Sequence, residues 1–346
     1  MVHARRHDHG LIPPGRKPLP DRRITSGVTP RARTSGAFAM LCAIWGSTWL
    51  VIRIGLNGAP PFLGAALRFL VAAVTLLALA AAFRSKLPRT RTEWMLVGFV
   101  GLVLFTADYG LIYWGEARGV ESGLSAILFA SMPFQTALVA HALTAEEKIT
   151  VPKLAGIALG FGGILLIFRG QLAAAGGAKL LPMAAIVIAA TCASFATVAV
   201  KRWGHGADPF TFNAFAMAVG TAGLAATSGL AGEAWAVPSW PTGIGAILYL
   251  GLAGSVVTFV MYVWLLRNIE ATSLSFVAMV TPIVAVMLGV AVGGEVLDPI
   301  AIGGAAVTLA GVYLSTSRRA AAWVRAVMGT AVVADAGAPD PPAGKP

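Results

Sequence analysis

Ten long apolar stretches divide the chain, at about 36–56, 61–83, 94–115, 120–143, 150–168, 180–200, 210–231, 242–265, 270–292 and 299–316. Charges, prolines or glycines bound each of them. Most reach the roughly 20 residues that carry an α-helix across a hydrocarbon core. They are too continuously apolar for the alternation of a barrel strand, and open sheet edges cannot sit in lipid. The pattern predicts an all-α integral membrane protein with ten transmembrane helices.

The basic residues between the stretches add an orientation. With a cytoplasmic N-terminus, twenty-one of the 26 Lys and Arg fall in inside segments, three (Arg118, Arg169 and Lys179) outside, and two (Arg53 and Arg68) within helices. That bias follows the positive-inside rule, so both termini are expected in the cytoplasm of a multi-pass plasma-membrane protein. Residues 1–35 hold eight Lys and Arg and no apolar core of a signal peptide. They read as a basic, disordered cytoplasmic tail, and residues 317–346 as a second one.

Internal similarity is the next signal. Cys42-Ala-Ile-Trp45-Gly46-Ser47 in the first stretch matches Cys192-Ala-Ser-Phe195-Ala196-Thr197 in the sixth, at an offset of 150. Pro61 and Pro209 open the second and seventh stretches, offset by 148, and Pro133 and Pro282 lie within the fourth and ninth, offset by 149. Glu147 and Glu295, offset by 148, are each followed by glycines at +9 and +16: Gly156 and Gly163, Gly304 and Gly311. The chain is therefore expected to be two five-helix repeats, 36–168 and 179–316. Five is odd, so the second repeat enters the membrane from the opposite side. Such inverted repeats have two near-equivalent packings, each open to one side, which is a means of alternating access.

Composition narrows the function further. Apolar residues make up 57% and charged residues 12%, where soluble domains carry about 25% charged. That argues against a cytosolic globular enzyme, whose surface needs more charge. The net charge of +11 does not point to nucleic acid, because the basic residues form no aromatic-interleaved groove. Cys42 and Cys192 both lie in apolar runs, so neither a disulfide framework nor a CxxC metal site is expected. No Walker loop is present, which argues against ATP-driven export within the chain. No catalytic, cofactor or metal residues are expected.

These residues resemble the EamA-type families of the drug/metabolite transporter superfamily. The likeness rests on Trp45-Gly46-Ser47-Thr48, Pro61 with Ala66-Leu67-Arg68-Phe69, Ser122-Gly123-Leu124 with Pro133, and Glu147 with its spaced glycines. Gly254-Ser255, Pro282, Gly294-Glu295 and Gly311 repeat it in the second half. The resemblance covers residues 36–316. It implies a ten-helix secondary transporter, commonly an exporter of amino acids, other metabolites or toxic compounds, and leaves the substrate open. The expected partners are a small-molecule substrate and the lipid bilayer, with protons and a second copy of the chain as further candidates. A passive channel and a membrane-embedded lipid-modifying enzyme are the alternatives.

Arg68 and Asp108 lead the candidate site residues. Each lies seven residues below the outer boundary of its helix, about 10 Å deep at 1.5 Å per residue. Buried charges of opposite sign relieve one another by pairing, so a contact or a shared polar cavity is expected, serving either a proton or substrate charge or a structural ion pair. Trp45, Ser47 and Thr48, with Phe195 and Thr197 opposite, form a possible aromatic and hydroxyl wall, or ordinary helix packing. Ser255, Thr258, Tyr262 and Thr281 are the counterparts in the second half. Pro133 and Pro282 each free an upstream carbonyl, as a hinge or as a fixed kink. Tyr109, Tyr113 and Trp114 are expected in an interfacial belt. Glu147 and Glu295 are expected to cap the fifth and tenth helices or to act as gates. Arg53 is expected to reach Glu116 or Glu121. The glycine series suits close helix packing, as scaffold or dimer contact.

Overall fold

Two prolines start corresponding helices. Pro61 and Pro209 occupy the first turn, where the missing N–H has no intrahelical partner to lose, and the Asp208 side chain accepts from the N–H groups of Phe210 and Thr211. A computed structural model describes residues 30–143, 150–175, 177–204, 206–268 and 277–316. Among these residues the protein is all-helical.

The helices are α1 (Pro30–Gly55), α2 (Pro61–Ala82), α3 (Arg91–Ala117), α4 (Ser122–Leu143), α5 (Val151–Ala175), α6 (Leu180–Trp203), α7 (Pro209–Leu230), α8 (Thr242–Asn268), α9 (Val277–Ala291) and α10 (Pro299–Thr316). Eight of them, α1 to α8, contain stretches long and apolar enough to cross a membrane. The other two are apolar but shorter, over Val280–Ala291 and Pro299–Ser315. Large apolar side chains such as Val74, Leu165, Ile188 and Met287 point out of the bundle, which is the surface a bilayer covers.

Two helices change pitch along their length. α3 passes through a π-helical segment, Gly101–Asp108, and α8 through another, Leu252–Val257. In each a hydroxyl takes up a carbonyl five residues back: Thr106 donates to the Gly101 oxygen at 3.0 Å, and Ser255 to the Leu250 oxygen at 2.9 Å. A side chain that competes for the backbone in this way favours the wider turn. The two hydroxyls are 149 residues apart, the offset of the repeat. α4 is interrupted at Ala130–Ser131, just before Pro133, whereas α9 runs unbroken through Pro282. The two prolines therefore occupy equivalent sequence positions with different local outcomes: Pro133 starts a new helical segment and Pro282 lies inside one.

The two halves run in opposite directions. Gly156 packs against Gly311 and Ser315, Gly163 against Gly304 and Thr308, and Gly170 against Ile300. The contact moves down α10 as it moves up α5, so the pair is antiparallel. Gly156 and Gly163 face partner backbone, and Gly170 the Ile300 side chain, each closely enough that a methyl group would overlap them, and this close approach requires glycine. The glycine series is thus used within the chain, by α5 and α10 on one another. Elsewhere α2 packs on α7, α1 on α9 and α4 on α6. At one end of the bundle, the glutamate end, Glu233 and Glu295 of the second repeat reach helix starts of the first, and at the other end Thr211 donates to the Lys86 carbonyl at 2.6 Å.

Candidate functional site

The centre of the bundle is built around a guanidinium. Arg68, on the third turn of α2, is only 2% exposed. Its Nε and Nη2 donate to Ser255 Oγ, both at 3.4 Å, across the boundary between the repeats. Its guanidinium lies over the Tyr109 ring at 4.8 Å and the Phe69 ring at 5.1 Å, and Phe69 packs edge-on against Tyr109 and Phe105. Aromatic faces are favourable surfaces for a buried cation. Gly254 leaves the space that Thr48 and the guanidinium occupy, for a Cβ there would meet Thr48 at 3.0 Å and Arg68 at 3.8 Å. Nη1 of Arg68 has no hydrogen-bond partner.

Asp108 ends the π segment of α3 and is 1% exposed. Its Oδ1 is also buried without a partner. No ion pair joins it to Arg68 among the described residues, so of the two expected arrangements, a contact or a shared polar cavity, the contact is not made. The π segment supplies a reason. Its extra residue per turn rotates the following side chains relative to a regular α-helix, which brings Tyr109 under the guanidinium in place of a carboxylate. Of the three residues expected in an interfacial belt, Tyr113 is buried and Tyr109 packs half-buried against the core, whereas Trp114 is half-exposed with Arg118 over its ring at 4.8 Å.

The remaining candidates divide. Thr48, Ser255 and Thr258 are buried near Arg68, with Thr48 donating to the Trp45 carbonyl at 2.6 Å and Thr258 to that of Gly254 at 2.9 Å. Trp45 and Tyr262 come together with ring centroids 5.6 Å apart, joining α1 to α8. Thr281 Oγ1 is buried without a partner, and its carbonyl lies against Gly46 of α1. Ser47 instead bonds Tyr249 at 2.7 Å toward the outside of the bundle. Phe195 is 40% exposed and Thr197 is exposed, bonding only its own helix at the Ala193 carbonyl. These two do not line the centre. The inward face of α6 is taken by Ala189, Ala193, Ser194 and Ala196, whose small side chains let α4 and α3 approach.

A polar cluster that sequence reasoning missed lies between α4 and α6. Gln135 donates to Ser131 Oγ at 2.7 Å and accepts from Thr191 at 2.5 Å, while Thr136 donates to Ser194 at 3.0 Å. Its signal was present in the sequence, as a glutamine two residues after the proline of an apolar stretch.

At the glutamate end, Glu295 is not the cap of its own helix. Its carboxylate crosses to the first repeat, accepting from the Ser122 N–H at 2.8 Å, the Ser122 hydroxyl at 2.6 Å and the Gly123 N–H at 3.0 Å, all at the start of α4. Arg53 pairs with it at 2.8 Å, where Glu116 or Glu121 had been expected. Glu121 pairs with Lys179 instead. Glu233 does the same for α2, accepting from the Phe62 and Leu63 N–H groups at 3.0 and 2.9 Å and from the Ser228 hydroxyl. Two acids of the second repeat thus satisfy the free donors and the positive ends of two helices of the first. Glu147, the repeat partner of Glu295, lies outside the described residues.

Known proteins share this plan. The chain is 34% identical over 269 residues to the uncharacterized inner membrane transporter YedA of Escherichia coli K12, covering 77% of this chain and 84% of that protein. It is 27% identical over 274 residues to the uncharacterized transporter YoaV of Bacillus subtilis, covering 79% and 93%. A probable amino-acid metabolite efflux pump of Escherichia coli K12 is 30% identical over 142 residues, covering 41% of this chain and 45% of the pump. One solved structure shares the fold at a TM-score of 0.59 and 16% identity, covering 83% of this chain and 98% of that one. Residues 34–169 and 180–317 each match the family described as EamA-like transporters. With both repeats matched and full-length relatives that are membrane transporters, the chain belongs to the EamA-like transporter family.

Proposed function

We propose that this transporter exports a small metabolite, an amino acid or a related or toxic compound, across the plasma membrane by alternating access between two inverted five-helix halves. The observation that carries the reading is the pair of open hydrogen-bonding positions at the centre, Arg68 Nη1 and Asp108 Oδ1. A buried donor and a buried acceptor of opposite charge, each unpartnered, are costly unless something occupies them. The carboxylate and ammonium of an amino acid match that pair, and a proton matches Asp108 alone. Arg68 belongs to the first repeat and Ser255 to the second, so motion of one half against the other alters the site directly.

The charge bias along the sequence supports an orientation with the glutamate end outside and both termini inside. In this conformation the Glu295 and Glu233 contacts hold the two halves together on the outer side. Export then loads substrate from the cytoplasmic end and releases it when those contacts part. The similarity to a probable amino-acid metabolite efflux pump supports both the substrate class and the direction.

The test is uptake of a mixed amino-acid and metabolite pool into proteoliposomes, comparing wild type with Asp108→Asn, with and without a pH gradient. Saturable, gradient-driven uptake that loses its gradient dependence in the variant supports a proton-coupled carrier. Saturable exchange that survives unchanged in Asp108→Asn reduces Asp108 to a structural group, and flux that neither saturates nor shows counter-exchange makes the protein a channel.

A further inference from the structure

A second carboxyl group lies on the face of α3 that carries Asp108. Residues 108, 112 and 116 are spaced by four, so Asp108, Ile112 and Glu116 share one stripe of the regular helix that follows the π segment. Eight residues put Glu116 roughly 12 Å nearer the glutamate end. Glu116 is 5% exposed, and neither of its carboxylate oxygens has a hydrogen-bond partner. It nevertheless lines an open pocket of about 340 Å³, together with Arg53, Asn57, Pro60 and Gly119.

The groups around it come from four elements. Arg53 of α1 lines the same pocket and is already bonded to Glu295 of the segment before α10. Tyr113 lies on its own helix, and the Ser125 hydroxyl of α4, itself buried without a partner, faces it. Along the rim Glu121 is held by Lys179. A charged carboxylate with both oxygens buried and unbonded is far less favourable than the neutral acid. A second anion, Glu295, stands nearby and already holds the cation that lines the pocket.

We propose that Glu116 is a proton-binding site that controls the latch between Arg53 and Glu295. In the conformation described here a proton from water in the pocket sits on a Glu116 oxygen, and Arg53 stays with Glu295. When the proton returns to that water, the bare carboxylate competes for Arg53, and the contact tying α1 to Glu295 and the start of α4 weakens. Acid therefore keeps the glutamate end shut and alkali loosens it. The consequence for transport rests on the alternating-access reading above; the proton binding does not.

Two measurements on the purified full chain test this without any substrate, so an error in the export reading leaves them interpretable. In an infrared pH titration, wild type is expected to show protonated-carboxyl absorption that bleaches as pH rises, with a component that is kept in Asp108→Asn and missing from Glu116→Gln. Pulsed EPR between spin labels at the exposed positions Asn57 and Val296 is expected to show a longer-distance population growing with pH in wild type and none in Glu116→Gln. A band that vanishes in Asp108→Asn, or that is absent from wild type, overturns the proposal even if Glu116→Gln does not fold. So does a pH-dependent distance that persists in Glu116→Gln.

Discussion

Replacing Glu295 with alanine removes the acceptor on which four hydrogen bonds converge. The Arg53 pair is 2.8 Å long, the Ser122 N–H and hydroxyl bonds are 2.8 and 2.6 Å, and the Gly123 N–H bond is 3.0 Å. Hydrogen bonds to a charged group contribute about 1.5–3 kcal/mol each, but four that share one carboxylate are not additive. The Arg53 side chain is 38% exposed and turns to water when its partner goes, so its share is small. The two N–H groups and the hydroxyl at the start of α4 are left buried without an acceptor, at about 1–3 kcal/mol per group. The expected loss is about 3–5 kcal/mol, in the range for breaking a buried charged contact. Glu295→Gln keeps one acceptor oxygen while turning an NH₂ toward the donors, so it should fall between wild type and Glu295→Ala. Unfolding of the detergent-solubilised protein with increasing denaturant reads the order directly. An alanine variant within about 1 kcal/mol of wild type, the usual size of an ordinary substitution, would refute the reasoning, as would a glutamine variant less stable than the alanine one.

Three further outcomes follow from the packing. Gly163→Ala drives a methyl group into the Gly304 carbonyl and Thr308 of α10 and should lose about 1–3 kcal/mol. Gly162→Ala, with nothing within 4 Å, should be neutral or gain up to about 1 kcal/mol; paired melting curves check both, and equal effects would contradict the α5–α10 contact. Phe195→Ala and Thr197→Val face outward and should leave metabolite-pool uptake near wild type, whereas Trp45→Ala opens the contact with Tyr262 and should lower it severalfold. Arg68→Lys keeps the charge but loses the planar group over Tyr109 and the forked approach to Ser255, so uptake should fall tenfold or more at normal expression. Wild-type uptake with lysine at position 68 would mean that only the charge matters.

Much of the architecture was legible because hydropathy and length are properties of local sequence. A helix in lipid satisfies its own backbone, so a long apolar run suffices to predict it. The offsets of 148 to 150 residues exposed the duplication for the same reason: the positions that matter to a membrane helix are its prolines, glycines and buried polar residues. Arg68 and Asp108 stood out because an ionisable residue in an apolar run has few explanations. Sequence was weaker on which way a side chain points. Trp45 and Phe195 occupy equivalent positions, yet one packs in the core and the other faces outward. Glu295 looked like a cap for the helix next to it, and Glu116 entered only as a partner for Arg53.

The sequence by itself determined the material of the protein: apolar helices, an internal repeat whose odd helix number inverts the second half, and a few charges confined to depth. Tertiary structure decided the pairings. It set Arg68 on Ser255 and Tyr109 instead of Asp108, sent Glu295 and Glu233 across to the helix starts of the other repeat, and left Glu116 unbonded at the edge of a pocket. The physical reason is range. Apolar length and backbone hydrogen bonding are settled within a few turns of one helix, whereas the partner of a buried polar atom is whichever group the packing of distant helices brings within about 3 Å. A π turn that rotates one helix by a single residue is enough to change it.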